Sequence, residues 1–401
     1  MENIANGKNK YMKTTCSRSI YLPFGKPNFS HKEIEAVTRV LSSGWIGMGP
    51  ETIAFENELA EYLNVPYVIT VNSCTSALFL SLLVHGIGAG DEVICPSLTW
   101  FSTANVILYL GGIPVFCDID PETLCITPEK VAEKISSRTR AVIVVHMGGY
   151  PVNVDEIKKV VPEHVALIED AAHAMGSKFE DGRPVGSSGN LTCFSFYANK
   201  NLSTGEGGAI SLFDEGIAQR LSSLRQHGLT ADAWKRYIQP QSAIAPEIEE
   251  LGYKMNYTDL QASIGRVQLK RMEEFAEIRK EIALIYYEGL KGTGIKYQKN
   301  CIDEKHSRHL FVVLLPIEQL KISRNEIIVE LRKHNIGAAI HYTPLHTMFF
   351  YDKSYRAKLP NTDYVGERIM TLPISASINA QDAKLMLVDF FELLSDSLRK
   401  W

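Results

Sequence analysis

What is missing from this 401-residue chain narrows its chemistry before any motif is read. No apolar run approaches the roughly 20 residues that a membrane-spanning helix needs, so no membrane partner is expected. Neither charge sign is in excess: 42 Lys and Arg stand against 46 Asp and Glu, a net −4. That leaves no basic surplus to follow a phosphate backbone, and nucleic acid is excluded as a partner. The seven cysteines (Cys16, Cys74, Cys95, Cys117, Cys125, Cys193 and Cys301) are odd in number and form no C-x-x-C pair. Four of them lie in or beside apolar runs, which reads as buried thiols in a reducing compartment and not as a disulfide framework or zinc site. The first nineteen residues are polar and lack the apolar core of a signal peptide. A flexible tail over 1–20 of a cytoplasmic protein is expected. H-E-x-x-H, Walker and G-x-S-x-G motifs are absent, which leaves three common catalytic chemistries without support.

What is present begins with length: two domains are the default for this many residues. Ser30 and Glu33 form a capping box opening a helix whose apolar side is Val37, Val40 and Leu41. The glycine-rich run 44–50 fails the G-x-G-x-x-G spacing and no strand precedes it, so it reads as a loop. From Tyr67 the pattern becomes regular. Strands at 68–71, 92–95, 113–117, 141–145 and 165–168 alternate with helices at 75–84, 102–109, 128–135 and 154–160. Such alternation predicts an α/β fold with a parallel sheet, and continuous apolar strands such as 141–145 predict helices on both faces. Runs 191–196 and 208–213 lie close enough for a hairpin. A long helix from Asp259 carries Leu260, Ile264, Val267 and Met272 at helical spacing, with Leu269 widening the apolar face. Strands at 309–315 and 336–341, with helices at 324–334 and 383–398, complete an α+β second domain. The expected division is a large domain over 21–258 and a small one over 259–401.

Inside the predicted hairpin sits Lys200, followed by a polar, glycine-rich turn. A lysine held between two strands is kept partly from water, which lowers its pKa and makes its amine a usable nucleophile. Lys200 is read as carrying pyridoxal phosphate as a Schiff base; a solvated lysine in a surface turn is the plainer alternative. In an open α/β sheet, ligands bind beyond the carboxyl ends of the strands. After the first strand come Thr75 and Ser76 at a helix start, suited to a phosphate, or an ordinary cap. After the second comes Trp100, a plate for a flat ring, or a core residue. After the strand ending at Ile168 come Asp170, able to pair with a pyridinium nitrogen or to cap the next helix, and His173, in reach of the ring's phenolic oxygen. Ser195 adds a hydroxyl. Their ordered co-occurrence, each at a strand end, is more telling than any one of them.

The run from Gly90 to Trp100, the run from Ile168 to His173, the run from Phe194 to Gly208, the run from Gly252 to Ala262 and Leu372-Pro-Ile resemble the DegT/DnrJ/StrS sugar aminotransferases. The likeness extends from about residue 22 to the end. Ser97–Trp100, Glu169–His173 and His341–His346 are most similar to members that make UDP-4-amino-4-deoxy-L-arabinose. The resemblance implies fold type I, with a mainly parallel seven-stranded sheet between helices. It implies that Lys200 forms the internal aldimine, that Asp170 meets the pyridine nitrogen, that His173 lies by the ring hydroxyl and that Trp100 stacks on the ring. Thr75, Ser76 and Ser195 are implied to hold the phosphate, and Asn256 to reach the phosphate of a partner subunit in a homodimer. Cys74 departs from the family, standing where many members have glycine. Lys200 is intact where dehydrating members carry histidine, which argues for amination.

The expected reaction moves an amino group from glutamate to a nucleotide-linked keto sugar, with a 4-keto group favoured, in polysaccharide or antibiotic biosynthesis. A lyase or dehydratase on the same fold and a non-catalytic regulator are the rival readings. For the sugar pocket, His341, Tyr342 and His346 are candidates, as are Lys254, Arg236 and His227 for the diphosphate. Solvated side chains explain these residues equally well.

Overall fold

The computed structural model describes residues 19–229, 247–248 and 250–398, so Arg236 and most of the expected tail lie outside the described residues. The capping box is present: α1 (His31–Ser43) begins with Glu33 accepting the Ser30 backbone N–H at 2.8 Å. Its buried side is Glu33, Ala36 and Val40. Leu41, expected inside, is 57% exposed, because one residue beyond Val40 is a turn of about 100° around the helix. A second helix, α2 (Pro50–Leu63), fills a stretch where the sequence reading holds no element. Pro50 occupies its first turn, where a missing N–H costs nothing, and Phe55, Leu59 and Leu63 recur every four residues as its buried stripe.

The alternating pattern then holds. Its elements are β1 (Tyr67–Val71), α3 (Cys74–Val84), β2 (Glu92–Pro96), α4 (Phe101–Tyr109), β3 (Ile113–Cys117), α5 (Pro128–Ala132), β4 (Thr139–Val145), α6 (Val154–Val160) and β5 (Ala166–Asp170). Next come β6 (Leu191–Ser195) and β7 (Gly208–Leu212), the predicted hairpin, followed by α7 (Glu215–Leu224). One seven-stranded sheet results, in the order β1–β7–β6–β5–β4–β2–β3. Strand β7 pairs antiparallel with both β1 and β6, while β2–β3, β2–β4, β4–β5 and β5–β6 are parallel. Both faces are covered, as continuous apolar strands require. Val71, Cys95, Ile143 and Ile168 pack with Leu78, Leu82, Val106 and Leu221 of the helices on one side. Val68, Ile94, Val142 and Phe194 pack with Phe55, Leu59 and Ile157 on the other. Cys74, Cys95, Cys117, Cys125, Cys193 and Cys301 are free and buried.

The remaining elements are α8 (Asp259–Lys270), α9 (Met272–Leu290), β8 (Lys296–Tyr297), β9 (Phe311–Leu314), α10 (Arg324–Lys333), α11 (Phe349–Asp352), α12 (Pro360–Arg368), β10 (Ile369–Leu372) and α13 (Ala380–Asp396). Strands β10, β9 and β8 form a small antiparallel sheet. It packs through Phe311, Val313 and Met370 against Tyr286, Leu331 and Phe390. The long helix expected from Asp259 is broken at Arg271, whose side chain is taken by Glu33, Glu274 and Asn28. The apolar side expected for it is kept at Leu269 and Met272, which are buried, and displaced in its first turns. Leu260, Ile264 and Val267 are half-buried, and α8 turns Ala262, Ser263 and Gly265 inward. A Cβ on Gly265 would lie 2.5 Å from the Phe55 ring, so small residues are what let α8 approach α2. The strand expected at 336–341 is reduced to isolated bridges, Leu22 with Ile336 and Ala339 with Thr371. The N-terminal segment takes the pairing instead: Leu22 donates to the Asn335 carbonyl at 2.8 Å and Gly337 donates to the Leu22 carbonyl at 2.7 Å. No helix among the described residues is long and apolar enough to cross a membrane.

Asp259 ties α8 to the start of α2. Its buried carboxylate accepts the backbone N–H groups of Gly49 (2.8 Å), Glu51 (3.2 Å) and Thr52 (2.9 Å) and the Thr52 hydroxyl (2.7 Å). Gly49 has no side chain to cap these donors, so a residue 210 positions away does it. Asp259→Asn turns an NH₂ group toward donors and leaves some unpaired. Chemical denaturation should show a loss of about 2 kcal/mol, within the usual cost of orphaned buried polar groups. An unchanged midpoint and slope would contradict the capping role.

Candidate active site

A cavity of about 560 Å³ opens where the carboxyl ends of β1, β2, β4, β5 and β6 meet the turn after β6. Lys200 projects into it from the hairpin. The turn is tied three times: Phe196 donates to the Gly207 carbonyl, Thr204 to the Phe196 carbonyl and Lys200 to the Tyr197 carbonyl, each at 2.9 Å. Gly207 has φ +149°, and a Cβ there would lie 2.5 Å from the Tyr257 ring, so the turn needs glycine at this point. Gly208 is pressed against the start of α3, its Cβ position 2.6 Å from the Cys74 nitrogen. Desolvation lowers the Lys200 amine to about 8, with Cys74 and Asp170 opposing the shift. About half of the amine is therefore in its neutral form at pH 8, and most of it above that pH.

Asp170 is the last residue of β5, which runs two residues beyond the strand end expected at Ile168. Its Oδ2 accepts the Thr103 hydroxyl at 2.9 Å and its Oδ1 accepts the Ala172 N–H at 3.1 Å. Burial pushes the carboxyl up, while those two donors and Lys200 pull it down. A cation brought to this carboxylate would hold it ionised. Glu169 points to the other side of the sheet, where it accepts from His146 at 2.9 Å, from Asn190 at 2.8 Å and from Ser188.

His173 receives the Gly148 N–H on Nδ1 at 3.2 Å, which leaves Nε2 to donate to the Tyr342 hydroxyl at 3.0 Å. Burial keeps its imidazole neutral, well below the ordinary histidine range. His341 bonds Thr371 through Nδ1 at 3.0 Å, packs on Phe24 at 5.0 Å and is pushed down to about 3 by burial. Trp100, 53% exposed, lies at the cavity mouth with its ring 5.7 Å from that of Tyr342. Thr75 and Ser195 line the cavity together with Ser73 and Cys74.

Other predicted residues lie elsewhere. Ser76 is buried behind the cavity, donating to Asn72 Oδ1 at 2.6 Å, and Ser73 holds the lining position. His346 is buried outside the lining, between Ser97 Oγ (2.7 Å) and Asp363 Oδ1 (2.9 Å), and fixes the 345–346 turn to the end of β2. Lys254 and Asn256 line a separate depression of about 310 Å³ with Trp45 and Met48. His227 is exposed. The sequence reading missed Phe24, Ser73, Asn199 and His309. His309 opens a strand-like run, and its polarity at that edge was the available signal. Phe24 is brought in by the Leu22 pairing, which has no local signal.

The residues present fit a phosphorylated, flat, cationic-ring aldehyde. A desolvated amine shares the cavity with a buried carboxylate, Ser73, Thr75 and Ser195 line the same cavity, and Asn199 Oδ1 is buried without a hydrogen-bond partner. A family model described as the DegT/DnrJ/EryC1/StrS aminotransferase family matches residues 27–388. An uncharacterised protein of Methanocaldococcus jannaschii is 43% identical over 372 residues, covering 91% of this chain and 95% of that protein. The spore coat polysaccharide biosynthesis protein SpsC of Bacillus subtilis is 40% identical over 373 residues, with the same coverage. Among solved structures, Spr1654 of Streptococcus pneumoniae, described as a sugar aminotransferase, matches in its PMP form with TM-score 0.87 and 30% identity. That match covers 94% of this chain and 99% of the other, and its PLP form gives the same TM-score.

The lowered amine is directly measurable. Labelling of Lys200 in the cofactor-free protein by an amine-selective acylating reagent should rise with pH to a plateau with a midpoint at about 8. Below that pH the amine is protonated and unreactive. A midpoint near that of a free lysine, about 10.4, would show that the cavity does not desolvate it.

Proposed function

Because the chain belongs to the DegT/DnrJ/EryC1/StrS aminotransferase family, we propose that it moves an amino group from glutamate onto a nucleotide-linked keto sugar, with a 4-keto group as the acceptor. At the coarser level it is a pyridoxal phosphate-dependent sugar aminotransferase of amino-sugar biosynthesis. The observation that carries this reading is the desolvated Lys200 amine sharing one cavity with the buried Asp170 carboxylate.

Pyridoxal phosphate, when bound, supplies an electron-withdrawing ring that makes a carbon–hydrogen bond beside an attached nitrogen acidic. Lys200 would hold its aldehyde end, Asp170 its ring nitrogen, and Ser73, Thr75 and Ser195 its phosphate. His173, a neutral Nε2–H donor, and Trp100 would flank the ring. The chain's own part in the chemistry is proton movement. Neutral Lys200 takes the proton from the α-carbon of glutamate in the first half-reaction. In the second it delivers a proton to the sugar carbon that becomes C–N. Asp170, kept ionised, would hold that ring nitrogen protonated, so that the cationic ring could take up electron density while carbanion character develops. The enclosing walls from Phe24, His341 and Tyr342 limit water at that moment. Asn256, set apart from the Lys200 cavity, is read as a group lent to a second copy of the chain.

Protein reconstituted with pyridoxal phosphate should change its visible absorbance on addition of glutamate and release one equivalent of 2-oxoglutarate per site. Lys200→Ala should abolish both, and Asp170→Asn should slow the half-reaction by about a hundredfold, the scale of losing one preorganised electrostatic group. A panel of nucleotide 4-keto and 3-keto sugars, scored for glutamate-dependent amine product, tests the acceptor. Absence of any spectral change with glutamate would remove the aminotransferase reading in favour of a lyase or dehydratase.

A further inference from the structure

Proton transfer by Lys200 depends on where the lone pair of its amine points, and one neighbour that plays no part in the mechanism above bears on it. We propose that His309 is a positioning residue: held by Asn201 with its proton on Nδ1, it accepts a hydrogen from the Lys200 amine at Nε2 and turns the amine's lone pair toward the cavity. This rests on the reading of Lys200 as the reacting amine.

The tautomer follows from the network around it. The Asn201 side chain has two carbonyl oxygens at its nitrogen end: Nδ2 donates to Ser307 O at 3.0 Å and to Met175 O at 3.3 Å. Carbonyls accept and cannot donate, so the amide orientation is fixed, and Oδ1 is the atom that faces His309 Nδ1 at 3.3 Å. An oxygen there requires Nδ1 to carry the proton. The ring is neutral, since burial drives it well below the ordinary histidine range and the positive charges of Lys200 and Arg279 push the same way. Nε2 is then a bare lone pair, 3.5 Å from Lys200 Nζ, at the long end of hydrogen bonding.

The imidazole has little freedom to adopt another arrangement. His309 is 4% exposed and packs on the His173 ring with centroids 4.6 Å apart. Its backbone is also held: the buried Arg279 guanidinium donates from Nη1 to the carbonyls of Arg308 (3.2 Å), Ile374 (3.3 Å) and His309 (3.4 Å). The charged or titratable groups that interact electrostatically with the amine are Cys74, Asp170, His173, His309 and His341, and Tyr197, Glu206 and Tyr342 line the same cavity. Among these, His309 supplies the side-chain nitrogen at hydrogen-bond distance. A neutral amine has two hydrogens and one lone pair, so fixing one N–H restricts the direction left for the lone pair.

Full-length His309→Leu, which removes the acceptor, and His309→Gln, whose amide oxygen can stand near the Nε2 position, separate orientation from packing. The acceptor favours the protonated amine, so in cofactor-free His309→Leu the labelling midpoint of Lys200 should fall by about half a unit or more below the wild-type value near 8. In His309→Gln it should return toward wild type. In reconstituted protein the glutamate half-reaction should slow by roughly tenfold to a hundredfold in His309→Leu, the scale of a misplaced reacting group. The concentration of glutamate giving half-maximal rate should stay within about twofold, and His309→Gln should recover part of the rate. Independently of any variant, ¹⁵N NMR of histidine-labelled wild-type protein should show His309 protonated on Nδ1 and bare on Nε2 from pH 5 to 9. A proton on Nε2, a wild-type midpoint and rate in His309→Leu, or a His309→Gln no better than His309→Leu would each overturn the inference. If wild-type protein gives no response to glutamate, the reading of Lys200 fails instead, and the tautomer and labelling results still decide the role of His309.

Discussion

Keeping one amine out of water is the constraint to which the rest of the structure answers. The Lys200 side chain carries a group that water would hold protonated near neutral pH, and its chemistry needs the opposite. The fold meets this by inserting β7 between β1 and β6. That insertion makes the connection after β6 a turn, knotted by backbone hydrogen bonds at Phe196, Lys200 and Thr204, and points the lysine across the sheet's carboxyl edge. The walls that complete its desolvation come from distant stretches, Phe24 before the first helix and His341 and Tyr342 near the small sheet.

Behind the cavity lies a shell of polar groups that hold strand ends in place without touching the reacting space. Glu169 and Asp170 are adjacent on β5 and face opposite sides; His146, Ser188 and Asn190 secure the former, which fixes the backbone that aims the latter. Ser97 and His346 do the same between the end of β2 and the turn that follows Tyr342. Each such pair is buried and satisfied, which is the condition under which polar interiors rigidify a site instead of weakening it.

The large sheet was legible because its strands are short, apolar and separated by helical stretches at regular spacing, a pattern in which local composition and burial agree. Lys200, Asp170, His173 and Trp100 could be placed because each follows or ends such a strand. Legibility failed where tertiary packing overrode local pattern. The first turns of α8 depart from the apolar pattern because Gly265 and Ala262, not the larger Leu260 and Ile264, allow close approach to α2. The strand expected at 336–341 was lost because Leu22, more than 300 residues earlier, takes its hydrogen bonds. Ser76 and His346 look like site residues in sequence yet are consumed by partners, Asn72 in one case and Ser97 and Asp363 in the other. No one-dimensional pattern distinguishes a hydroxyl or imidazole that faces a cavity from one that faces its neighbour.

The contact between Lys200 and His309 spans 109 positions of chain, and Phe24 meets His341 across a still longer interval. A ribosome releases the lysine well before it releases the imidazoles, while Phe24 waits from the outset for a counterpart made late. The nascent large sheet can therefore assemble with its lysine open to solvent and protonated. Maturation of the catalytic amine is tied to completion of synthesis, so a prematurely terminated chain carries the nucleophile but not the dry surroundings that arm it.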